Sequence, residues 1–188
     1  TVPSAECILG DKLTAFAPHT TGVPLGVGKS MEIAKQMFDV ATLIDAMKSQ
    51  DVVKQTYNNV VLEELGYRGI TISKEEVLQD TINACLSIIS RGTMYKEDYV
   101  EYLKGIKAVG THILFMNYSG EIAAHQACKV MYFATCLLRN REFVKIEHPE
   151  NYIEKKLDQK QYKGLSSIKK QKLEAYGYLV EAVQLLEE

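Results

Sequence analysis

Three side chains near the N-terminus have the types and spacing for phosphate chemistry: Lys12, Lys35 and Asp39. Lys12 stands inside the stripe Ala5, Ile8, Leu9, Leu13 and Phe16, whose i, i+3, i+4 spacing marks one helix face. A lysine on an apolar stripe either runs its stem along the surface to water or meets a partner inside. Lys35 and Asp39 lie four apart on a second helical pattern and so share one side of it. Where the two helices pack, the three side chains can converge. A carboxylate there could hold a divalent cation, and a lysine could neutralise triphosphate oxygens. The same trio could equally be an ion pair that locks two helices together, and the pattern alone leaves both readings open.

Other candidate chemistries fare less well. Gly22-Val23-Pro24-Leu25-Gly26-Val27-Gly28-Lys29-Ser30 has the ending of a phosphate-binding P-loop but not its spacing, because Val23 stands where the first glycine is required. A helix and a proline-containing loop precede it, where a buried strand is needed. The helix that starts after Gly28 could still attract an anion through its free N–H groups. His125 and Cys128 are three apart on a helix, yet two ligands do not make a metal site, and no motif places His112 beside them. No serine sits on a strand-to-helix elbow to use the four histidines. Between Lys155 and Lys172 seven lysines face one acid, Asp158. That stretch could track an RNA backbone, with Tyr162 for stacking, but a solvated linker is the expectation.

The elements that must position these residues read as helices throughout. The first starts near Pro3 and is ended by Pro18. The second runs from about Ser30 to Met47, burying Ile33, Met37, Val40, Ile44 and Met47. A third spans about Asp51 to Leu65 and closes at Gly66. Ser73-Lys74-Glu75-Glu76 has capping-box spacing and opens a helix that stops at Arg91-Gly92. Long patterns follow from Lys96 to Phe115 and from Glu121 to Arg139, the second with Ile122, Ala127, Val130, Ala134 and Leu137 facing in. A short helix over Asn151–Leu157 and a last one capped by Ser166 or Ser167, with the stripe Leu173, Tyr176, Val180, Val183 and Leu186, complete the chain. The expected fold class is all-α, a bundle of six to eight helices with mostly antiparallel neighbours, because the connections are short. Two parts are expected, 1–66 and 67–188, either as separate domains or as one continuous domain.

Bulk properties narrow the function classes. With 188 residues, 46% apolar and 24% charged, the chain can bury a sizeable core. A net charge of −2 gives no global pull toward nucleic acid or an anionic membrane. No apolar run approaches the length of a membrane span and no secretory pattern opens the sequence, so a cytoplasmic protein with no membrane partner is expected. Cys7, Cys85, Cys128 and Cys136 form no CxxC pair and read as buried thiols. No metal ligand set is expected.

The motifs Asp11-Lys12-Leu13-x-Ala15-Phe16, Thr20-Thr21-Gly22-Val23-Pro24 and Lys35-Gln36-x-Phe38-Asp39-Val40-x-x-Leu43 together resemble those of a known family. It is the nucleotidyltransferase toxins of abortive-infection, type IV toxin–antitoxin systems (the AbiEii/AbiGii type). The resemblance covers roughly Val2 to Met47. It implies that Lys12 and Asp39 belong to the active-site motifs, that Lys12 and Lys35 contact nucleotide phosphates, and that NTP and Mg serve the complete protein. It also implies a Gly-Ser turn and an Asp-x-Asp pair on a catalytic sheet. The 188 residues contain neither, and Gln36 stands where many members have an acid. The chain therefore resembles the helical C-terminal part of such a protein, without a cofactor of its own. Its implied partners are an N-terminal nucleotidyltransferase domain, a cognate antitoxin and an RNA acceptor. Alone, it is expected not to transfer nucleotides. The alternative is a non-catalytic helical module that binds another protein or a second copy of itself.

Overall fold

The computed structural model describes residues 2–188, and among them all regular structure is helical. The α-helices are α1 (Ala5–Ala15), α2 (Ser30–Ala46), α3 (Gln50–Arg68), α4 (Lys74–Ile89), α5 (Lys96–Val109), α6 (Gly120–Arg139), α7 (Ile168–Gln171) and α8 (Leu173–Leu186). A π-turn, Gly110–Leu114, extends α5, and 3₁₀ turns occupy Pro149–Tyr152 and Lys163–Leu165. The all-α bundle expected from periodicity is thus the observed class.

The arrangement follows from which helices are apolar on one side and which all round. From Ala123 to Leu137, α6 carries Ala124, Ala127, Cys128, Val130, Met131, Phe133 and Ala134, all buried. A helix apolar on every side must lie inside, and α6 packs against α4 on one flank, α8 on another and α2 on a third. The second half of α4 is similarly buried through Ile82, Cys85, Leu86, Ile88 and Ile89. The N-terminal helices form an outer layer in which α1 lies against both α2 and α3, while α2 also meets α5. Leu9 and Leu13 of α1, Phe16 just past its end, and Met37 and Val40 of α2 are fully excluded from solvent. One continuous apolar cluster runs from these residues through α4 and α6 to Leu179 and Val183 of α8.

Helix ends were partly legible. Ser73 and Glu76 exchange hydrogen bonds as a capping box should, with Glu76 N–H donating to Ser73 Oγ and Ser73 N–H to Glu76 Oε2. Ser4, not the first helical turn, follows Pro3: its hydroxyl accepts from Cys7 N–H and caps α1. The third helix passes Gly66 and stops at Gly69, whose φ of 64° places it in the left-handed region. There the Gly69 and Ile70 amides return to the Gly66 and Leu65 carbonyls, closing the helix end.

Four further expectations change. The Lys96–Phe115 pattern breaks at Gly110 into the π-turn, with Phe115 at φ 50°. Ile122, expected inside, is 38% exposed, because it lies in the first turn of α6 before the helix enters the core. In place of an Asn151–Leu157 helix only the Pro149–Tyr152 turn forms. Ser167 precedes the four-residue α7, and α8 starts after Lys172 without a side-chain cap. Cys85, Cys128 and Cys136 are buried and free, whereas Cys7 is half-buried and receives the Thr56 hydroxyl.

Candidate functional site

The packing of α1 on α2 brings Lys12, Lys35 and Asp39 together. Lys12 Nζ lies 2.9 Å from Asp39 Oδ2, and Lys35 Nζ binds the other oxygen, Oδ1. The carboxylate is the more buried member, with its side chain 16% exposed against 29% and 30% for the two lysines. Each position has a local cause. Leu9, Leu13 and Phe16 turn the α1 stripe into the core, which leaves Lys12 at the stripe's edge facing α2. On α2, Ile33, Met37 and Val40 point inward, and the four-residue spacing puts Lys35 beside Asp39 on the flank toward α1. Lys35 Nζ also lies 5.9 Å from the centroid of the Phe38 ring.

The cluster carries two positive charges against one negative charge in a half-buried setting. Its lysines are held on Asp39 before any ligand arrives, and both lysine side chains remain partly exposed. An anion with several oxygens could be received by both ammoniums at small cost in side-chain ordering. Magnesium fits poorly. Both Asp39 oxygens are engaged by lysine ammoniums, which leaves no free carboxylate oxygen for the ion.

The loop from Phe16 to Lys29 sets the spacing of the two helices, and the residues that hold it come from far along the chain. Thr81 Oγ1 donates to the Phe16 carbonyl at 2.7 Å. Asp80 Oδ2 accepts from His19 N–H at 2.9 Å and from Thr20 Oγ1 at 2.8 Å. The Arg68 guanidinium donates to the carbonyls of Thr20 and Gly22, each at 3.2 Å. Gly26 N–H donates to Glu101 Oε1 at 2.8 Å, and Thr21 Oγ1 to the Thr14 carbonyl at 2.9 Å. Burial pushes the Asp80 carboxyl above its ordinary range, against the pull of hydrogen bonds from Thr20 and His19. None of these holders was singled out from sequence. Asp80 left one trace: an acid inside the run Val77, Leu78, Thr81 and Ile82, all of them buried.

His19 is the titrating part of this fastening. Its Nε2 meets Asp98 Oδ2 at 2.7 Å, and that hydrogen bond raises the imidazole above its ordinary value. A group with a raised folded value stabilises fully below its unfolded pKa, and the contribution fades as pH rises through the folded value. Denaturant titrations of the wild type and His19→Ala should therefore differ most below the ordinary imidazole value of about 6.5 and converge as pH rises past the raised folded value. A gap independent of pH would show that the charged pair carries none of it.

The remaining candidates separate. In the Gly22–Ser30 segment the Gly22 carbonyl accepts from Arg68, the Gly26 N–H donates to Glu101, and Lys29 is exposed at the start of α2. A hollow of about 340 Å³ beside it is lined by Asp11, Thr21, Pro24, Lys29, Glu64 and Arg68, and thus by Asp11 rather than Lys12. His125 Nε2 pairs with Gln171 Oε1 at 3.0 Å, while Cys128 is fully buried, so the two do not share a site. In the Lys155–Lys172 stretch, Leu157, Leu165 and Ile168 are buried and Tyr162 is 9% exposed, so the segment is packed and Tyr162 is not free to stack. No described helix is long and apolar enough to cross a membrane. Comparison of the chain with family models, curated proteins and solved structures returned no match.

Proposed function

We propose that this chain is the helical part of a nucleotidyltransferase-like protein of the abortive-infection toxin type. In it, Lys12 and Lys35 receive the phosphates of a nucleoside triphosphate, and Asp39 completes the wall of the NTP and acceptor cleft. The observation that carries the reading is the meeting of the three motif residues at one carboxylate, although Lys12 and Asp39 are 27 positions apart in sequence. The resemblance adds that these are the family's active-site positions. On this reading the magnesium ligands and the alignment of an attacking hydroxyl come from a separate nucleotidyltransferase domain, as the resemblance implies. A cognate antitoxin and an RNA acceptor are partners of the complete protein on this reading.

The rival reading, a non-catalytic docking module, expects a broad exposed apolar face on the first two helices. Against it, Leu9, Leu13, Phe16, Ile33, Met37, Val40 and Ile44 are all buried within this chain. Calorimetric titration with inorganic tripolyphosphate and with each nucleoside triphosphate separates the two. Saturable binding, mutual competition and weakening by salt are expected. Absence of saturable binding to either ligand would overturn the nucleotide reading.

A further inference from the structure

The Lys155–Lys172 stretch is pinned along its length rather than loosely solvated. Leu157, Tyr162, Leu165 and Ile168 are buried, and the Tyr176 hydroxyl of α8 donates to the Lys155 carbonyl at 2.6 Å. From Gln159 onward the backbone winds tightly. The amides of Tyr162, Leu165, Ser166, Lys169 and Lys170 each donate to the carbonyl three residues back. At three residues per turn, positions three apart share a side. Tyr162, Leu165 and Ile168 take the inward side. Lys163 and Ser166 fall on a second side and Ser167 and Lys170 on a third, and all four are exposed.

The strip displayed in this way is basic and unneutralised. Its seven lysines stand against Asp158 alone, in a chain whose net charge is −2, so the rest of the molecule is acidic. Among the described residues none of the seven ammoniums forms an ion pair, whereas Lys12, Lys35 and Lys129 each meet an aspartate. The two ends of the stretch also come together. Lys169 Nζ lies 5.6 Å from the centroid of the Tyr176 ring, whose hydroxyl holds Lys155. Like charges gathered on a fixed backbone repel one another and weaken the folded state. A polyanion laid along them removes that repulsion.

The residues between the lysines decide which polyanion fits. Gln161, Ser166, Ser167 and Gln171 are exposed and carry hydrogen-bond donors suited to phosphate oxygens. A surface that enters lipid needs exposed large apolar side chains, and the stretch has none. Its one aromatic ring, Tyr162, is turned inward, so bases find nothing to stack on.

We propose that the Lys155–Lys172 strip binds the phosphodiester backbone of a nucleic acid without reading its bases. The strip uses none of Lys12, Lys35 and Asp39, and its role does not depend on the nucleotide reading above.

Fluorescence anisotropy with labelled duplexes of about 20 base pairs tests the proposal on the full chain. Affinity should rise about tenfold or more as salt falls from about 150 to about 50 mM, and two unrelated sequences should agree within about twofold. Joint Lys163→Gln and Lys170→Gln substitution should weaken binding about tenfold at the lower salt and reduce the salt slope by about 2. Both side chains are exposed and unpaired, so the denaturant midpoint should not move. Lys104→Gln with Lys107→Gln, an exposed pair on α5, removes the same charge elsewhere and should leave binding within about twofold. Equal losses in the two double variants would overturn the proposal, since net charge alone would then be acting. Absence of salt-dependent binding by the wild type would overturn it as well. Strong preference for one sequence would show that bases are read, against the proposal. Binding to vesicles of anionic lipid but to neither duplex would reassign the strip to a membrane surface and overturn it.

Discussion

Alanine at position 105 should destabilise the protein by at least about 2 kcal/mol, read as a shift of the denaturant midpoint. Gly105 lies where α5 crosses the start of α2, and an added Cβ would fall well inside contact distance of the Ser30 carbonyl oxygen. It would also sit 2.6 Å from the Ser30 carbonyl carbon and 3.2 Å from Ala34 Cβ. Backbone cannot swing aside as a flexible side chain can, so the two helices must separate. That separation strips cover from Ile33 and Met37 on one helix and from Tyr102 and Ile106 on the other, all buried. Alanine favours a helix interior by about 1 kcal/mol over glycine, and the clash must exceed that gain. Gly66 supplies the control. It lies inside α3 with nothing near a built Cβ, so Gly66→Ala should leave stability unchanged or raise it by a few tenths to about 1 kcal/mol. Equal effects at the two positions would refute the close-contact explanation.

The contrast between these glycines marks what could be read from the sequence. Apolar periodicity placed α1 and α2, because each has a stripe that must be buried on one side, and α4 and α6 were legible as helices apolar over most of their surface. The same logic brought Lys12, Lys35 and Asp39 to one seam, since Lys12 sits at the edge of a buried stripe and the other two are one turn apart. Gly66 and Gly69 are indistinguishable to such a reading. The helix runs on to Gly69, and Arg68, in its last turn, extends to the carbonyls of Thr20 and Gly22. The loop fastening by Asp80, Thr81 and Glu101 was invisible for a similar reason: its partners lie about 60 to 75 positions apart. Period-3.6 patterns carry no information about which distant side chain meets a loop carbonyl. The π-turn escaped because the apolar spacing continues through Ile113 even though the backbone ladder changes.

Lys12→Ala and Asp39→Ala should move phosphate affinity in opposite directions. Lys12 contributes one of two ammoniums to the cluster, and a charge-assisted hydrogen bond to a phosphate oxygen is worth roughly 1.5–3 kcal/mol. Its removal should weaken tripolyphosphate and nucleoside triphosphate alike by about tenfold or more. Asp39 competes with the incoming anion for the same two ammoniums, so Asp39→Ala should tighten tripolyphosphate binding. Both variants should keep the fold. A partly exposed ion pair contributes about 1 kcal/mol at most, although Asp39→Ala also leaves two like charges facing one another. On the nucleotidyltransferase reading, Asp39→Ala should nevertheless abolish transfer by a chain joined to its catalytic domain, because binding phosphates and organising the reacting groups are separate tasks. A trio that only locks α1 to α2 behaves otherwise. Both substitutions would then cost similar stability, and neither would alter affinity for either ligand beyond that loss. The sign of the Asp39→Ala effect on tripolyphosphate thus separates an anion site from a helix clamp, and it can be measured on this chain alone.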